Sequence, residues 1–462
     1  MPGRVASSFR DPSGHVYDIG GRVFRTVRAP GRDDFEFVRS TGFLEGKVRS
    51  GQVLEAHLVP NELLGDVAPD ACYVLEHPRL EFVSHPYEWS FWGLRAAALL
   101  TLELHRDALR HGISMSDASA YNVQFDGPNP VLIDYLSFRR YQDGELWAGH
   151  RQFCEQLLYP LLLTAYTGVP FNAMLRSHLS GIGASDLLAL LPVLHRLSPR
   201  FLLHVGLPAR LSRTRSRSTA TTAEQLSHTK LPKTALLRIL EAMHSWVGAL
   251  RPHRRRTAWQ TYADLNSYSE GERGEKARFV AEFVAASRPR TLWDLGCNTG
   301  DYSKVALEAG AGRVIGFETD QGALDAAFLR AEREKLRFLP LYQELLNPSP
   351  DQGWRQEERK GLQSRAQADA VLMLALIHHL AIANNVPLAE VVDWATSLAP
   401  AGVIEFVPKE DPMAAALLAL RPDIFPDYTR EAFLAALGER ADLTSVREIT
   451  GTGRLLVAYR RP

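Results

Sequence analysis

The sequence is poor in the features that assign a chain to a specialised class of protein. Its three cysteines, Cys72, Cys154 and Cys297, are dispersed over 462 residues without a CxxC pair, which argues against a disulfide framework and against a zinc site. Lysine plus arginine number 53, and so do aspartate plus glutamate. The absence of net charge removes the simplest electrostatic argument for a nucleic-acid or membrane-surface partner.

Long hydrophobic runs are also absent. The longest apolar segments, such as "VLMLALIHHLAIA", contain histidines and are shorter than a membrane span. The first twenty residues have no apolar core of the signal-peptide kind. We therefore expect a soluble cytoplasmic protein without a membrane span, for which nucleic acid is not the expected partner; the oligomeric state is left open.

The chain is too long for one compact domain, and its composition predicts three regions. Residues 1–206 combine short strand patterns with helical ones, which predicts an α+β domain. Residues 207–257 form a basic, Ser/Thr/Arg-rich connection followed by an amphipathic helix. In residues 258–462 strands alternate with helices, and this alternation predicts an α/β domain with a doubly wound, Rossmann-like sheet.

The most informative stretch is "TLWDLGCNTGDYSKVALEAGAGRVIGFETD", residues 291–320. A buried strand ends at Asp294, a turn of small residues runs from Gly296 to Gly300, and the next strand delivers Glu318. Glycines let the backbone approach a ligand closely, and a carboxylate after the second strand can accept both ribose hydroxyls. The stretch therefore predicts a site for an adenosine cofactor.

The turn reads Asp-x-Gly-x-x-x-Gly, and its acidic partner lies on the strand itself. These details resemble class I S-adenosylmethionine (SAM)-dependent methyltransferases over roughly residues 258–462. The resemblance implies a SAM site made of Asp294, Gly296 and Gly300 for the methionine part, Asn298 within the turn, Glu318 for the ribose and Glu344 for the adenine edge. Asn298 stands where many members have glycine, but asparagine tolerates left-handed backbone geometry. A Rossmann-like turn that binds another nucleotide, or nothing, remains the alternative.

Whole phrases resemble a narrower group, the bacterial nodulation-related methyltransferases. They are "LNPSPDQGW", "LALIHHLAIANNVPL" and "IEFVPKEDPM". In that group a "WxxY…Y…K" segment precedes the cofactor turn, and this chain supplies Tyr262, Tyr268 and Lys276 at the corresponding places. The resemblance implies that Tyr268 and Lys276 close over the cofactor.

Two histidines, His378 and His379, follow the fourth strand, where a doubly wound sheet presents residues to a ligand. Either could take the proton of an acceptor hydroxyl during methyl transfer, because the unperturbed pKa of histidine suits that task. The alternative is that they only shape the pocket. Glu405 and Lys409 follow the fifth strand, and they either form a structural ion pair or orient the substrate.

The N-terminal region carries a second constellation. Asp117 is followed five residues later by Asn122, and Asp134 ends the hairpin pattern "NVQF…PVLID". This order resembles the aminoglycoside-phosphotransferase and protein-kinase superfamily, which implies a catalytic Asp117, magnesium ligands Asn122 and Asp134, and ATP. Departures from the family are Met115 in place of histidine, no glycine-rich loop, and Arg25 as the available cation. The alternative makes these residues ordinary loop caps.

A run of arginines, at 210, 213, 215, 217 and 254–256, is either a solvated surface or a clamp for an anionic substrate. The leading hypothesis is a SAM-dependent methyltransferase for a small-molecule or glycan acceptor, with a kinase-like domain that binds or prepares the substrate. One alternative is a bifunctional enzyme that phosphorylates and then methylates its acceptor. Another is a binding or scaffold protein built on a pseudokinase.

Overall fold

The structure is a computed structural model that describes residues 3–214, 230–253, 270–419 and 421–462. Its contacts divide the chain into two compact units. Unit 1 comprises Met1–Arg255 together with Asp351–Arg359, and unit 2 comprises Arg256–Pro350 together with Lys360–Pro462. Across the described part of the chain, no helix has both the length and the apolar character needed to cross a bilayer.

Unit 1 opens with a four-stranded antiparallel sheet. The strands are β1 (Val16–Ile19), β2 (Arg22–Arg28), β3 (His57–Val59) and β4 (Ala71–His77), in the order β1-β2-β4-β3. Gly20 and Gly21 join β1 to β2 with φ of 59° and 78°, the left-handed geometry that a tight two-residue hairpin requires.

The helices of unit 1 follow the predicted apolar spacing with one break. They are α1 (Ala29–Ser40), α2 (Phe43–Arg49), α3 (Phe91–Arg110), α4 (His150–Phe153), α5 (Tyr159–Thr167), α6 (Asn172–Ser177), α7 (Ala184–Leu190), α8 (Pro199–Phe201), α9 (Leu207–Thr214) and α10 (Lys233–Ala249). Helices α1 and α2 are separate because Gly42 between them is left-handed at φ 71°. Helix α3 stops just before Gly112, φ 73°, as its sequence predicts.

Four short strands carry the loops of the second constellation. They are β5 (Ile113–Met115), β6 (Val123–Asp126), β7 (Asn129–Leu132) and β8 (Phe138–Arg140). Strands β6 and β7 form the predicted antiparallel hairpin, and β5 pairs with β8. This arrangement brings the loop after β5 close to the loop after β7.

Unit 1 includes two segments that the sequence analysis placed outside the N-terminal domain. Helix α10, from the predicted connection, packs along α3, where the Arg106 guanidinium lies 2.6 Å from Glu241. Residues Asp351–Arg359 also belong to unit 1. The Arg359 guanidinium lies 4.1 Å from the centre of the Tyr121 ring, so a cation–π contact helps to hold this segment.

Unit 2 contains a seven-stranded sheet among its described residues. The strands are β9 (Thr291–Leu295), β10 (Arg313–Glu318), β11 (Phe338–Tyr342), β12 (Ala370–Met373), β13 (Ala401–Phe406), β14 (Asp442–Glu448) and β15 (Leu455–Arg460), in the order β11-β10-β9-β12-β13-β15-β14. Strands β9 to β13 are parallel, whereas β15 runs antiparallel to both β13 and β14. The predicted doubly wound sheet is confirmed, and its topological switch point lies between β9 and β12.

The helices of unit 2 are α11 (Glu270–Ser287), α12 (Asp301–Glu308), α13 (Gln321–Glu334), α14 (Leu388–Leu398), α15 (Pro412–Leu418) and α16 (Arg430–Gly438). The parallel strands are almost entirely buried, which is why their apolar runs were recognisable in the sequence. Strand β14 was not predicted, because it lies at the sheet edge and six of its seven residues are exposed.

Candidate active site

The turn after β9 lies at the switch point and is built from left-handed residues. Gly296, Asn298 and Gly300 have φ of 73°, 50° and 81°. Asn298 thus adopts the geometry that the sequence analysis expected asparagine to tolerate. A Cβ on Gly300 would lie 2.4 Å from the ring of Phe338, so only glycine allows the turn to approach the sheet this closely.

The carboxylate of Glu318, at the end of β10, is fixed by backbone amides. Its Oε2 accepts a hydrogen bond from Asn298 N–H at 2.8 Å, and its Oε1 accepts from Thr319 N–H at 2.7 Å and Asp320 N–H at 2.9 Å. Burial raises the pKa of Glu318. The Thr319 hydroxyl also reaches Oε1, at 3.5 Å, whereas Oε2 accepts only the Asn298 amide among the described residues. Each carboxylate oxygen has about two lone-pair positions, so Oε2 keeps capacity for a ligand hydroxyl.

Asp294, at the end of β9, is buried and braces the helix that follows the turn. Its carboxylate accepts a hydrogen bond from Ser303 Oγ of α12 at 2.6 Å. Burial raises the pKa of Asp294 to about 6. Asp294 therefore ties α12 to the end of β9, which are the two elements that flank the turn.

The two predicted histidines lie side by side beyond β12, with ring centres 4.1 Å apart. His378 is buried, and neither of its ring nitrogens has a hydrogen-bond partner among the described residues. Burial lowers the pKa of His378 to about 3 and also lowers that of His379. Both imidazoles are therefore neutral at pH 7, and His378 is a buried polar group that lacks the partner such groups normally have.

The remaining predicted cofactor residues are spread out. Glu344 is exposed just after β11. Lys276 of α11 is buried rather than free to move over a ligand: its ammonium forms an ion pair with Glu405 and lies 4.8 Å from the centre of the Tyr302 ring. Tyr268 lies outside the described residues.

Glu405, at the end of β13, is the centre of a buried charge network. We call it the Glu405 network and define it as Lys276, Ala375, Glu405, Asp411 and Arg454. Besides pairing with Lys276, the Glu405 carboxylate accepts from Ala375 N–H at 2.8 Å and from Arg454 Nη1 at 3.2 Å. Arg454 in turn donates to both oxygens of Asp411, at 2.7 and 2.9 Å. Two positive and two negative charges balance one another.

The structure shows that Glu405 and Lys409 do not pair with each other. Glu405 forms the structural ion pair, but with Lys276. Lys409 donates instead to the partly exposed Asp423 at 2.7 and 2.9 Å. Arg454 and Asp411 were missed, because they are 43 residues apart and no local spacing marks them as partners.

Glu405 and Glu318 each accept a hydrogen bond from the backbone amide of a left-handed residue. Glu405 accepts the amide of Ala375, which is left-handed at φ 49°, and Glu318 accepts the amide of Asn298, at φ 50°. A non-glycine residue in this region carries strain that the surroundings must offset. Both carboxylates therefore stabilise strained backbone at the carboxyl edge of the sheet.

The residues of the second constellation meet in unit 1. Asn122 Nδ2 donates to Ser137 Oγ at 3.1 Å, and Ser137 Oγ donates to Asp134 Oδ2 at 3.1 Å. Asp117 accepts from Ser119 N–H at 3.0 Å and contacts the Asn122 side chain. Burial, aided by the charge of Asp134, raises the pKa of Asp117. The structure thus brings Asp117, Asn122 and Asp134 together.

The Asp134 carboxylate is already paired with a cation. The buried guanidinium of Arg25 donates to Asp134 Oδ1 from Nε at 3.2 Å and from Nη2 at 3.1 Å, and it also pairs with Asp11. Magnesium is bound through carboxylate oxygens that face it directly. In this arrangement Arg25 and Ser137 occupy both oxygens of Asp134, so the donor set does not fit Mg²⁺.

Comparison with known proteins gives one strong match over the full length. The chain is 46% identical over 461 residues to nodulation protein NoeA of Rhizobium meliloti (strain 1021), covering 100% of this chain and 96% of that one. The chain belongs to the NoeA family. This membership agrees with the nodulation-related group that the sequence motifs indicated. No family model matches the sequence.

Two solved structures show weaker likenesses, each over less than half of this chain. The N-methyltransferase NodS from Bradyrhizobium japonicum WM9, in complex with S-adenosyl-L-homocysteine, is 12% identical over 43% of this chain and 91% of its own, with a TM-score of 0.32. The PH0226 protein from Pyrococcus horikoshii OT3 is 15% identical over 44% and 97%, also with a TM-score of 0.32. At such TM-scores these likenesses carry no argument about function.

We predict that Glu405→Ala lowers the free energy of unfolding by about 3–5 kcal/mol, because it leaves Lys276 and Arg454 as buried charges without their shared partner. The matched control is Lys409→Ala, which removes a partly exposed ion pair at the end of the same strand and should cost at most about 1 kcal/mol. Denaturant unfolding of both variants checks this. Equal losses would contradict the role assigned to Glu405.

Proposed function

We propose that this member of the NoeA family is a SAM-dependent methyltransferase that acts on a small-molecule or glycan acceptor. The observation that carries the proposal is the Glu318 carboxylate, which three backbone amides hold beside the Gly296–Gly300 turn. In an open α/β sheet, ligands bind outside the carboxyl ends of the strands at the switch point. A fixed carboxylate in that place suits the ribose hydroxyls of an adenosine cofactor.

Other features of this edge also suit the cofactor. The turn at Gly300 has no space for a side chain, so backbone rather than side chains would face the ligand. The cofactor would supply an electrophilic methyl group on a sulfonium. Transfer of that group needs in-line positioning and, for a weakly acidic acceptor, a base.

Of the two histidines, we assign proton acceptance to His379. A group with a pKa near 3, such as His378, is a weak base at neutral pH. His379 is only half-buried and keeps more of its basicity. His378 would then use its unpartnered ring nitrogens to hold the acceptor or the cofactor. Because the relative is a nodulation protein by name, we also propose that this chain acts in nodulation.

We predict that Glu318→Gln weakens SAM binding between about 10-fold and 100-fold, because hydrogen bonds to a charged acceptor contribute about 1.5–3 kcal/mol. Calorimetric titration of the full-length chain with SAM measures this. Glu332→Gln is the matched control, since Glu332 is an exposed residue of α13, and it should bind like the wild type. No SAM binding by the wild type would refute the proposed function.

For unit 1 we propose a kinase-like domain that binds the substrate rather than phosphorylating it. Convergence of Asp117, Asn122 and Asp134 supports the kinase-like ancestry. The Arg25–Asp134 pair favours binding over phosphoryl transfer, because that pair occupies the carboxylate that would hold magnesium. The alternative of a pseudokinase scaffold predicts no turnover of SAM, whereas this proposal predicts turnover.

We expect no MgATP binding and no ADP release by the full-length chain, because the Arg25 cation neutralises Asp134. Titration with MgATP and a coupled ADP assay check both points, with Asp134→Asn as the companion variant. ADP release by the wild type that disappears in Asp134→Asn would instead establish the bifunctional enzyme.

A further inference from the structure

Three side chains with metal-binding chemistry meet in unit 1, and none of them belongs to either constellation. His150 is the first residue of α4, and Cys154 follows one helical turn later. His204 lies in the π-helical segment Leu202–Gly206. Their ligating atoms all lie within 4.8 Å of one another. His150 Nε2 is 3.0 Å from His204 Nδ1 and 3.6 Å from Cys154 Sγ.

Two of the three distances between ligating atoms are close to those of a tetrahedral metal site. Zinc bonds to nitrogen are about 2.0–2.1 Å and to sulfur about 2.3 Å, so tetrahedral angles place two nitrogens about 3.3 Å apart and a nitrogen about 3.6 Å from the sulfur. The nitrogen–sulfur distance agrees with this geometry, and the nitrogen–nitrogen distance is shorter by a few tenths of an ångström. The ligating atoms of His204 and Cys154 lie within 4.8 Å of each other, so the three side chains are grouped closely enough for one ion to reach them all.

The surroundings hold the three ligands in place. Cys154 and His204 are buried, and His150 is half-buried. Tyr159 donates a hydrogen bond from its hydroxyl to the main-chain oxygen of His204, and so it ties the two helical segments together. The Trp147 ring centre lies 5.9 Å from that of His150.

Both helical segments are π-helical at the cluster. Cys154 begins the π-helical segment Cys154–Leu158, and His204 is the middle residue of the other. A π turn inserts one residue into a helix and changes the direction of the side chains there, and such turns occur frequently at functional sites. Two of them meeting at three ligand side chains is a second, independent indication of a site.

A hydrogen bond between the two imidazoles is the competing explanation of the 3.0 Å contact. It accounts for His150 and His204, provided that one ring donates and the other accepts. The Cys154 thiol can join this network as a weak donor to His150 Nε2 at 3.6 Å, so metal content is what distinguishes a hydrogen-bonded trio from a metal site.

We propose that His150, Cys154 and His204 bind one Zn²⁺ ion in unit 1, with a water molecule as the fourth ligand. The ion would join α4 to the π-helical segment before α9. The absence of a CxxC pair from the sequence had argued against a zinc site. The ligands come instead from a His-x-x-x-Cys spacing and from a histidine 50 residues further on, which only the fold brings close.

The first test needs no variant. The full-length chain, purified without added metal, is analysed for metal content and then stripped with a chelator and titrated with Co²⁺. We expect about one zinc per chain and a thiolate-to-cobalt charge-transfer band that saturates at about one equivalent and disappears when Zn²⁺ is added. Absence of stoichiometric zinc together with absence of that band would overturn the proposal.

The second test identifies the ligands. Cys154→Ser should abolish the charge-transfer band, and His204→Gln should weaken zinc binding at least about 10-fold. Cys72→Ser is the control, because Cys72 is a free, half-buried cysteine outside the cluster, and it should leave both unchanged. Zinc should also raise the unfolding temperature of the stripped wild type but not of Cys154→Ser. A band that survives in Cys154→Ser would overturn the assignment.

Discussion

The buried carboxylate of Glu405 is the group on which the carboxyl edge of the unit 2 sheet depends. It connects helix α11 through Lys276, the loop after β12 through the amide of Ala375, and the segment before β15 through Arg454. Charges are taken out of water at great cost unless they are paired and fully hydrogen-bonded. The Glu405 network meets this condition because its two acids and two bases balance.

The consequence for the proposed active site is a rigid backbone. The loop after β12 and the turn after β9 each contain a left-handed, non-glycine residue, and each has its amide bound by a carboxylate. Left-handed residues of this kind persist only when their surroundings determine them strongly. Methyl transfer depends mainly on positioning, so an edge whose backbone is held in this way suits the proposed chemistry better than one built from mobile side chains.

In unit 1, by contrast, an ion pair occupies a carboxylate that would otherwise be available to a ligand. There the carboxylate in question, Asp134, is paired with the Arg25 guanidinium. The sequence order Asp117, Asn122, Asp134 predicted that these residues would be neighbours, and the hairpin of β6 and β7 makes them so. Their chemistry, however, depends on Arg25, which lies 109 residues away from Asp134. The same three residue types can bind a metal or pack as a closed polar cluster.

Local pattern in the sequence determined the parallel strands, the hairpin at Gly20 and Gly21, and the turn at Asp294, Gly296 and Gly300. Each of these follows from interactions within a few residues: burial on both faces of a strand, or the backbone freedom of glycine. Strand β14 was missed because an exposed edge strand has no such pattern.

Only the tertiary structure decided which charged groups, and which histidine and cysteine side chains, are neighbours. Glu405 pairs with Lys276 rather than with the nearby Lys409, and His204 meets Cys154 across 50 residues. Such partners are chosen by how helices and strands pack, and the free energy of a buried charge or thiol depends on those partners. The sequence therefore determined where the chain could bind a cofactor, and the packing decided which side chains remain free to do so.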